Sequence, residues 1–445
     1  MLQAVSSHDN LATCLHDRKT MRRPILSLCL LCLFLTLASC GSGEGGDGER
    51  ITIRFWHFWS EPSQKAALLK LIKQFEDSTN TTVELTELSW NDGKAKLLAA
   101  FNSGMPPDVI ELGSDWIAQF SSAGVLLNLP IEGHSIDRFV SFSLSPAMWQ
   151  GKIYAYPWTV DTRVLYINRD LVNKAGWKRP ITTLDELFDA SEAVAATGNY
   201  GYGANGADAH RLYKKILPFY WTYASSSGKD ASGEFITMEN GRSKVTYSSE
   251  SWRKAFDMYA RLARTGYIET QRQLDDAFIQ GKIAFLNSGS WLIERIRRAK
   301  SLDVDAVLMP GTGNKPGISF AGGEYLAVSA NTKYSQRARD LVNYLTSGKI
   351  ALALCNQIPE AGFPAERGSY QDSSLLADPM KAVFARQLDY AKMTPVHPQW
   401  LDLEQILEDA LVKVLLGDAE PAEALNAAQE EARIITRQNE SLAQQ

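Results

Sequence analysis

Short β-type and helix-type patterns alternate along the chain after residue 50. Ile51-Thr-Ile-Arg-Phe55 alternates and is rich in β-formers, which predicts a strand. The apolar positions of 68–75 recur at i, i+3, i+4 and i+7, which predicts a helix. The pattern continues with a strand over 82–88, a helix over 94–102, a strand over 108–112 and a helix over 116–120. This β-α-β-α-β order is typical of a parallel sheet that binds ligands off the carboxyl ends of its strands.

The same α/β character extends to the end of the chain, without a repeat of fixed period. Thr183-Leu-Asp-Glu186 is a capping box that predicts the start of a helix. The other predicted elements are a hairpin-like stretch over 151–157, strands over 164–168 and 283–286, helices ending at 176 and 281, a helix starting near 291, and mostly helices from 336 that close with a long one over about 402–416.

An apolar run near the start of the chain ends in a cysteine. Basic residues at 22–23 precede the run over 25–37, which is too short to span a membrane, since that takes about 20 residues. Leu37-Ala-Ser-Cys40 resembles the lipobox of bacterial lipoproteins, in which the thiol is alkylated by diacylglycerol and the peptide is cut before it. The resemblance implies a signal peptide over 21–39, an anchor at Cys40 and a flexible tether over 40–50. Residues 1–20 have no role in this scheme, so Met21 is the predicted true start.

Composition narrows the classes of partner. After cleavage only Cys40 and Cys355 remain, so we expect no intramolecular disulfide. A net charge of −5 argues against nucleic acid as a partner. The four histidines beyond the signal peptide show no metal-ligand spacing (His57, His134, His210, His397). The chain has eleven tryptophans, and all of them follow Cys40. Packing alone seldom needs so many, which favours a binding role for several of them.

Several stretches, in order, resemble the family 1 extracellular solute-binding proteins, the receptors of ABC sugar importers typified by maltose-binding protein. The resemblance covers nearly all of residues 51–440. The stretches are 107–116, 151–157 with 165–171, 180–187, Phe278-x-x-Gly281-Lys282-x-Ala284 with Gly289-Ser-Trp291, Gly322-Gly-Glu-Tyr-Leu-Ala327 and Gly362-Phe-Pro-Ala365.

The resemblance implies a class II periplasmic-binding-protein fold, with two α/β lobes joined by crossing segments around a ligand cleft. It places the first lobe at about 51–160 and 325–390, and the second at about 161–324 and 391–445. It implies an extracytoplasmic, lipid-anchored monomer that hands its ligand to ABC permease subunits. No cofactor, catalytic residue or metal is expected.

Sugar chemistry indicates which side chains line such a cleft. The C–H face of a sugar ring stacks on Trp or Tyr, and its hydroxyls donate to carboxylates. By the resemblance, Asp115 is the sugar-binding acid after the third strand, Asp161 matches the acid at the first crossing, and Trp291 matches a stacking aromatic. The alternative for Asp115 is an N-cap of the helix at Trp116, and that for Asp161 is an ion pair with Arg163. Trp116 stands where the maltose type has a basic residue, so sugars other than maltodextrin stay open.

Further ligand-binding candidates come from the loops and from later aromatics. They are Trp59, Glu61, Tyr220, Trp221, Glu324 and Trp400. The first two lie on the first strand-to-helix turn, and Glu324 follows two glycines near a crossing. The other three resemble family aromatics, with Trp400 offset by about one helical turn. For every aromatic candidate, packing in the core is the alternative.

Other functions remain open at this stage. The same fold also binds polyamines, anions and metal ions, and Arg163 is one candidate for an anion. A glycoside-processing enzyme needs two carboxylates at a set separation, and Asp115 with Asp161 could form such a pair. However, the sequence contains no G-x-S-x-G, H-E-x-x-H or P-loop motif. A purely structural surface lipoprotein is the third alternative.

Overall fold

The computed structural model describes residues 50–129, 136–207, 211–227, 232–239, 242–300 and 302–443. The predicted signal peptide, Cys40, the tether up to residue 49, His134 and His210 lie outside the described residues. Cys355 is a free thiol buried in the core. Within the described ranges, no helix is both long and apolar enough to cross a membrane.

The chain up to residue 129 alternates strands and helices as predicted. Its elements are β1 (Ile51–His57), α1 (Pro62–Thr79), β2 (Thr81–Glu87), α2 (Gly93–Asn102), β3 (Val109–Gly113) and α3 (Ile117–Ser122). β1 pairs in parallel with both β2 and β3, which confirms the predicted parallel arrangement. α1 buries Leu68, Leu71, Ile72 and Phe75, the positions that define its period.

The middle of the chain adds one strand to the first sheet and forms the whole of a second sheet. Its elements are α4 (Leu144–Ala147), β4 (Met148–Trp149), β5 (Lys152–Ile153), β6 (Ala155–Thr162), β7 (Val164–Asn168), α5 (Arg169–Lys174), α6 (Leu184–Ala195), β8 (Tyr200–Asn205), α7 (Tyr213–Ser226), β9 (Ile236–Glu239), β10 (Arg242–Val245), α8 (Glu250–Arg264), β11 (Tyr267–Glu269), α9 (Gln271–Ile279), β12 (Ile283–Ser288), α10 (Leu292–Arg298) and β13 (Val304–Val307). The second sheet has the strand order β11-β8-β12-β7-β13.

The last part of the chain completes the first sheet and then returns to the second. Its elements are β14 (Ser319–Val328), α11 (Ser335–Leu345), α12 (Gly348–Gln357), β15 (Phe363–Pro364), α13 (Arg367–Tyr370), α14 (Ser373–Leu376), α15 (Pro379–Leu388), β16 (Ala391–Lys392), α16 (Trp400–Leu416) and α17 (Pro421–Ala443). The first sheet has the order β15-β6-β14-β3-β1-β2, and β16 pairs with β14. β14 runs antiparallel to both β3 and β6.

Each sheet carries its own helices, and the two halves form two lobes joined by crossing segments. Arg163 alone separates β6 of the first sheet from β7 of the second. A second crossing lies between β13 and β14. A third follows β16, because α16 and α17 pack on α8 of the second lobe. We propose that the lobes divide at these crossings. β14 pairs with β6 from Ala321 onward, so this crossing comes before the predicted boundary at residue 325.

Two local expectations differ from the structure. The long helix predicted near 402–416 is α16, but it does not close the chain. It ends at Leu416, and the next residue, Gly417, has a left-handed φ of 80°. α17 follows, with Leu425 buried in the second lobe's core. The stretch 151–157 is also more than a hairpin. β5 pairs with β4 there, and the residues from Ala155 begin the long strand β6.

The capping box at the start of α6 is confirmed and yields a prediction. The Thr183 hydroxyl accepts a hydrogen bond from the Glu186 backbone N–H at 3.2 Å, and the Glu186 carboxylate accepts one from the Thr183 N–H at 3.0 Å. We expect Thr183→Ala to lower the free energy of unfolding by about 1 kcal/mol in urea denaturation. Thr86→Ala, on the exposed part of β2, is the control, with a change within about 0.5 kcal/mol. Equal losses in both variants would contradict the capping role.

Candidate functional site

A cleft of about 760 Å³ lies between the two lobes, and both lobes line it. From the first lobe come the segments at the carboxyl ends of β1 and β3, which carry Trp59, Glu61 and Asp115. From the second lobe come the start of α7, α9 and the segment that begins α10. The cleft therefore lies where the parallel strands of the first sheet end, as the rule for open α/β sheets predicts.

Part of the predicted ligand-binding set comes together in this cleft. The members of the predicted set that line the cleft are Trp59, Glu61, Asp115, Asp161, Trp291 and Glu324. They come from widely separated parts of the chain, on both sides of the cleft. Their contact with a ligand stays a prediction, whereas their shared location is a structural fact.

Trp116 does not line the cleft, and its prediction as a ligand-binding residue needs correction. Its side chain is only 6% exposed and packs on the side of the first lobe's sheet that carries Ile110 and Leu112. The ring meets Phe58 edge-on at 5.7 Å and Trp90 at 5.6 Å. Trp116 thus supports the loops that line the cleft rather than facing the cleft itself.

Tyr220, Trp221 and Trp400 also lie away from the cleft lining, in the core of the second lobe. Tyr220 stacks on Trp252 with ring centroids 4.1 Å apart, and Trp400 packs edge-on against Tyr213 at 5.6 Å. The reason is that α7 is covered nearly all round, so its aromatics pack between α8, α16 and the sheet. The structure therefore places these three side chains in the core, which is the alternative considered for them.

Asp115 links the two lobes. Its carboxylate accepts a hydrogen bond from the Tyr213 hydroxyl at 2.8 Å, across the cleft. Burial by itself would raise the pKa of Asp115, but the charges of Lys214 and Arg211 and the Tyr213 hydroxyl hold that pKa below its ordinary value. Asp115 is therefore ionised at neutral pH and provides a charged acceptor at the wall of the cleft.

A chain of contacts orients Trp291 on the opposite wall. The indole N–H donates to Asp275 at 2.8 Å, and the Arg163 guanidinium lies over the ring at 4.6 Å. Arg163 in turn pairs with Asp161 at 2.6 Å. Asp161 therefore lines the cleft and also pairs with Arg163, and its contact with a sugar stays a prediction.

Asp275 and Glu111 are cleft residues that the sequence analysis missed. Asp275 is buried and also accepts hydrogen bonds from Ser288 and Gln271, at 2.9 and 2.7 Å. Glu111 is fully buried on β3, where one carboxylate oxygen accepts from the Phe58 backbone N–H at 2.9 Å. A signal for Glu111 was available, since it is the one acid inside an otherwise apolar strand. Asp275 had no comparable local signal.

A group of cations at the start of α7 was also missed. Lys215 donates to the Asn287 carbonyl at 2.6 Å, and burial lowers its pKa to about 7. Burial and the neighbouring Arg211 lower the pKa of Lys214 to about 8. The Arg211 guanidinium lies over the Trp90 ring at 4.7 Å, which is a second contact between the lobes. These side chains make the cleft more charged than a set of acids and aromatics alone.

The tryptophans divide into two uses. Trp59, Trp90 and Trp291 line the cleft. Trp158, Trp221, Trp252 and Trp400 are among the largest fully buried side chains. The abundance of tryptophan thus reflects packing at least as much as binding. Among the residues that the structure describes, no group of three or more His, Cys, Asp or Glu side chains is placed to hold a metal ion.

Comparison with known proteins identifies a family to which the sequence is similar. The sequence profile of the bacterial extracellular solute-binding protein family matches residues 70–382. The chain is 23% identical to the galactooligosaccharide-binding protein of Bacillus subtilis (strain 168), over 92% of this chain and 96% of that protein. It is 25% identical to the diacetylchitobiose binding protein of Streptomyces coelicolor, over 91% of this chain and 96% of that protein.

A solved structure supports the two-lobe fold. The GacH receptor of Streptomyces glaucescens GLA.O, determined without ligand and in complex with acarbose, superimposes with a TM-score of 0.73. It is 24% identical to this chain, and the superposition covers 87% of this chain and 98% of the receptor. The class II fold predicted from the sequence is thereby confirmed.

Proposed function

Because this chain belongs to the family of bacterial extracellular solute-binding proteins, we propose that it captures a carbohydrate in the cleft between its lobes and delivers it to the permease of an ABC importer. The observation that carries the proposal is the combination of Trp291, held in place on one wall, with the ionised carboxylate of Asp115 on the other. An aromatic face opposite charged acceptors matches the two chemical faces of a sugar ring.

The names of the relatives support the sugar class. The Bacillus and Streptomyces proteins are named for a galactooligosaccharide and for diacetylchitobiose, and the GacH receptor was determined with acarbose. These ligands are oligosaccharides or resemble them, so we propose a cargo of more than one ring. The cleft volume of about 760 Å³ is adequate for a ligand of that size.

Capture follows from the hinge between the lobes. The ligand enters an open cleft, and the lobes then close around it by hinge motion at the crossings. Closure removes water from the hydrogen bonds to the carboxylates and strengthens them. Asp115 and Tyr213 come together only when the lobes approach, so their hydrogen bond is part of the closed form. The closed receptor then docks on the permease.

The lipid anchor at Cys40 remains part of the proposal. An acylated cysteine holds the receptor at the membrane, and each buried methylene of its chains contributes about 0.8 kcal/mol. The tether then raises the effective concentration of the receptor at its permease. We propose that the receptor acts as a monomer outside the cytoplasm, without catalysis and without a cofactor.

A thermal-shift screen of the 50–445 fragment tests the class of cargo. The probes are galactobiose, diacetylchitobiose and maltotriose, with spermidine, phosphate, citrate and zinc as representatives of the other classes. A ligand that binds only the native state raises the melting temperature by mass action. We expect a shift with at least one oligosaccharide. Shifts only with spermidine, an anion or zinc would leave the fold assignment unchanged and contradict a sugar as the cargo.

Removing the Asp115 carboxylate is expected to weaken sugar binding at least tenfold, or by about 1.4 kcal/mol. Asp115→Ala removes both the acceptor and the counter-charge to Lys214 and Arg211. Asp115→Asn keeps the shape and one acceptor oxygen, so its loss of affinity is expected to be smaller. Isothermal titration calorimetry measures the affinities, with Asp77→Asn, on the exposed face of α1, as the control. Wild-type affinity in Asp115→Ala would mean that Asp115 is not a ligand-binding residue.

A further inference from the structure

Two glutamates lie on the same face of the first sheet: Glu111, which is fully buried, and Glu324, which is partly buried. β3 and β14 are antiparallel, with Gly113 opposite Glu324 and Glu111 opposite Leu326. Since side chains alternate along a strand, Glu111 and Glu324 share a face as diagonal neighbours, within reach of each other for long side chains. Both line the cleft. We refer to these two side chains as the carboxyl pair.

The hydrogen-bonding capacity of the carboxyl pair is only partly used. One oxygen of Glu111 accepts from the Phe58 N–H at 2.9 Å. The other oxygen of Glu111 and one oxygen of Glu324 are buried without a hydrogen-bond partner among the described residues. Buried polar atoms without a partner are costly, so such atoms beside a cleft indicate a missing partner.

We propose that Glu111 and Glu324 form a proton-holding carboxyl pair in the wall of the cleft, and that this pair binds uncharged hydroxyl groups of the ligand both as donor and as acceptor. The identity of the ligand as a sugar rests on the proposed function. The protonation of the pair does not, because it follows from the protein alone.

The surroundings of the pair favour its protonated form. Burial raises the pKa of Glu111 to about 8. Burial, then the neighbouring Glu111 and Asp161, raise the pKa of Glu324 well above its ordinary value, whereas Lys214 and Arg211 act in the opposite direction. A protonated carboxyl carries an O–H donor as well as acceptor oxygens, which an ionised carboxylate does not.

The same surroundings disfavour an ammonium group of the ligand at this position. An ammonium group on the ligand would meet a neutral carboxyl pair rather than a counter-charge, with Lys214 and Arg211 close to Glu324. A hydroxyl group carries no such penalty and can pair with both the donor and the acceptors. The carboxyl pair therefore selects a neutral, hydroxyl-bearing ring over an amino sugar at this position in the cleft.

Infrared spectroscopy of the full chain without ligand tests the protonation directly. The band of protonated carboxyl groups is recorded from pH 6 to 10 for the wild type, Glu111→Gln and Glu324→Gln. We expect each variant to lack part of the band at pH 7, and the part absent from Glu111→Gln to fade in the wild type near pH 8. Glu408→Gln is the control for a carboxyl outside the pair, because burial also raises the pKa of Glu408 to about 8. Bands unchanged by both pair variants would overturn the proposal.

Affinity measured against pH tests the binding role. The probe is whichever of galactobiose, diacetylchitobiose and maltotriose gives the largest thermal shift. For a pair that must hold its proton, the wild-type Kd is expected to rise about tenfold from pH 7 to pH 9. Glu111→Gln, which stays neutral, is expected to bind with a Kd constant within about threefold over that range. Glu111→Met, which is also neutral at every pH measured, serves the same purpose if Glu111→Gln fails to fold.

The controls separate this proposal from its rivals. Lys214 also loses its proton near pH 8, and Lys215 near pH 7. A tenfold rise in Kd that persists in Glu111→Gln would therefore assign the pH dependence to these lysines and overturn the carboxyl pair. Glu408→Gln is expected to follow the wild-type pH profile. A wild-type affinity that is constant from pH 7 to 9 would also overturn the binding role. If no sugar binds at all, the proposed function fails, while the infrared result still decides the protonation.

Discussion

Trp291→Ala is expected to weaken ligand binding by between about 10- and 100-fold, or roughly 1.4 to 2.8 kcal/mol. The Trp291 ring is held in a fixed orientation, because Asp275 accepts from its N–H at 2.8 Å and Arg163 packs against one face at 4.6 Å. Alanine removes the stacking surface, and the loss appears in the dissociation constant. Calorimetry with the sugar found in the screen measures it.

Two variants make the result specific. Trp291→Phe keeps an aromatic face but loses the N–H donor to Asp275, so an intermediate affinity is expected. Trp177→Ala is the matched control, because Trp177 also has an arginine over its ring, Arg179 at 4.4 Å, but lies outside the cleft lining. Wild-type affinity is expected for that variant. Equal losses in the variants at 177 and 291 would mean that the effect is not local to the cleft.

Trp252→Ala is expected to give the opposite result, a large loss of stability without a loss of affinity. Trp252 is fully buried, stacks on Tyr220 at 4.1 Å and meets Phe235 edge-on at 5.2 Å. Deleting such a side chain removes transfer free energy and leaves a cavity, which lowers the free energy of unfolding by about 3–5 kcal/mol. Chemical denaturation at 25 °C measures the change.

Binding by Trp252→Ala is measured where the protein is still folded. An affinity within about threefold of the wild type is expected, since no atom of Trp252 lines the cleft. Trp252→Phe keeps part of the packing and is expected to lose less stability than the alanine variant. A loss of affinity comparable to that of Trp291→Ala would indicate that the α7 aromatics, Tyr220 and Trp221, belong to the ligand site after all.

The local patterns of the sequence determined much of the fold, because local rules govern it. The alternation over 51–55, the helical period over 68–75 and the capping box at Thr183 each involve neighbours in the chain, and the structure has all three. The loops after β1 and β3 placed Trp59 and Asp115 beside the cleft, since parallel strands end at the same edge of a sheet. A helix as polar as α17 is less evident, because its apolar stripe is narrow and its sequence is mostly polar.

Only the tertiary structure decided which tryptophans face the cleft and which acids act together. Trp291 and Trp400 each stand at the start of a helix, yet one lines the cleft and the other is buried under Tyr213. Asp115 meets the Tyr213 hydroxyl from 98 positions away. Glu111 and Glu324 share one face of the sheet because β3 and β14 are paired strands. The burial of a side chain and its contact partners depend on which distant segments of the chain pack together. No local sequence pattern predicts that packing.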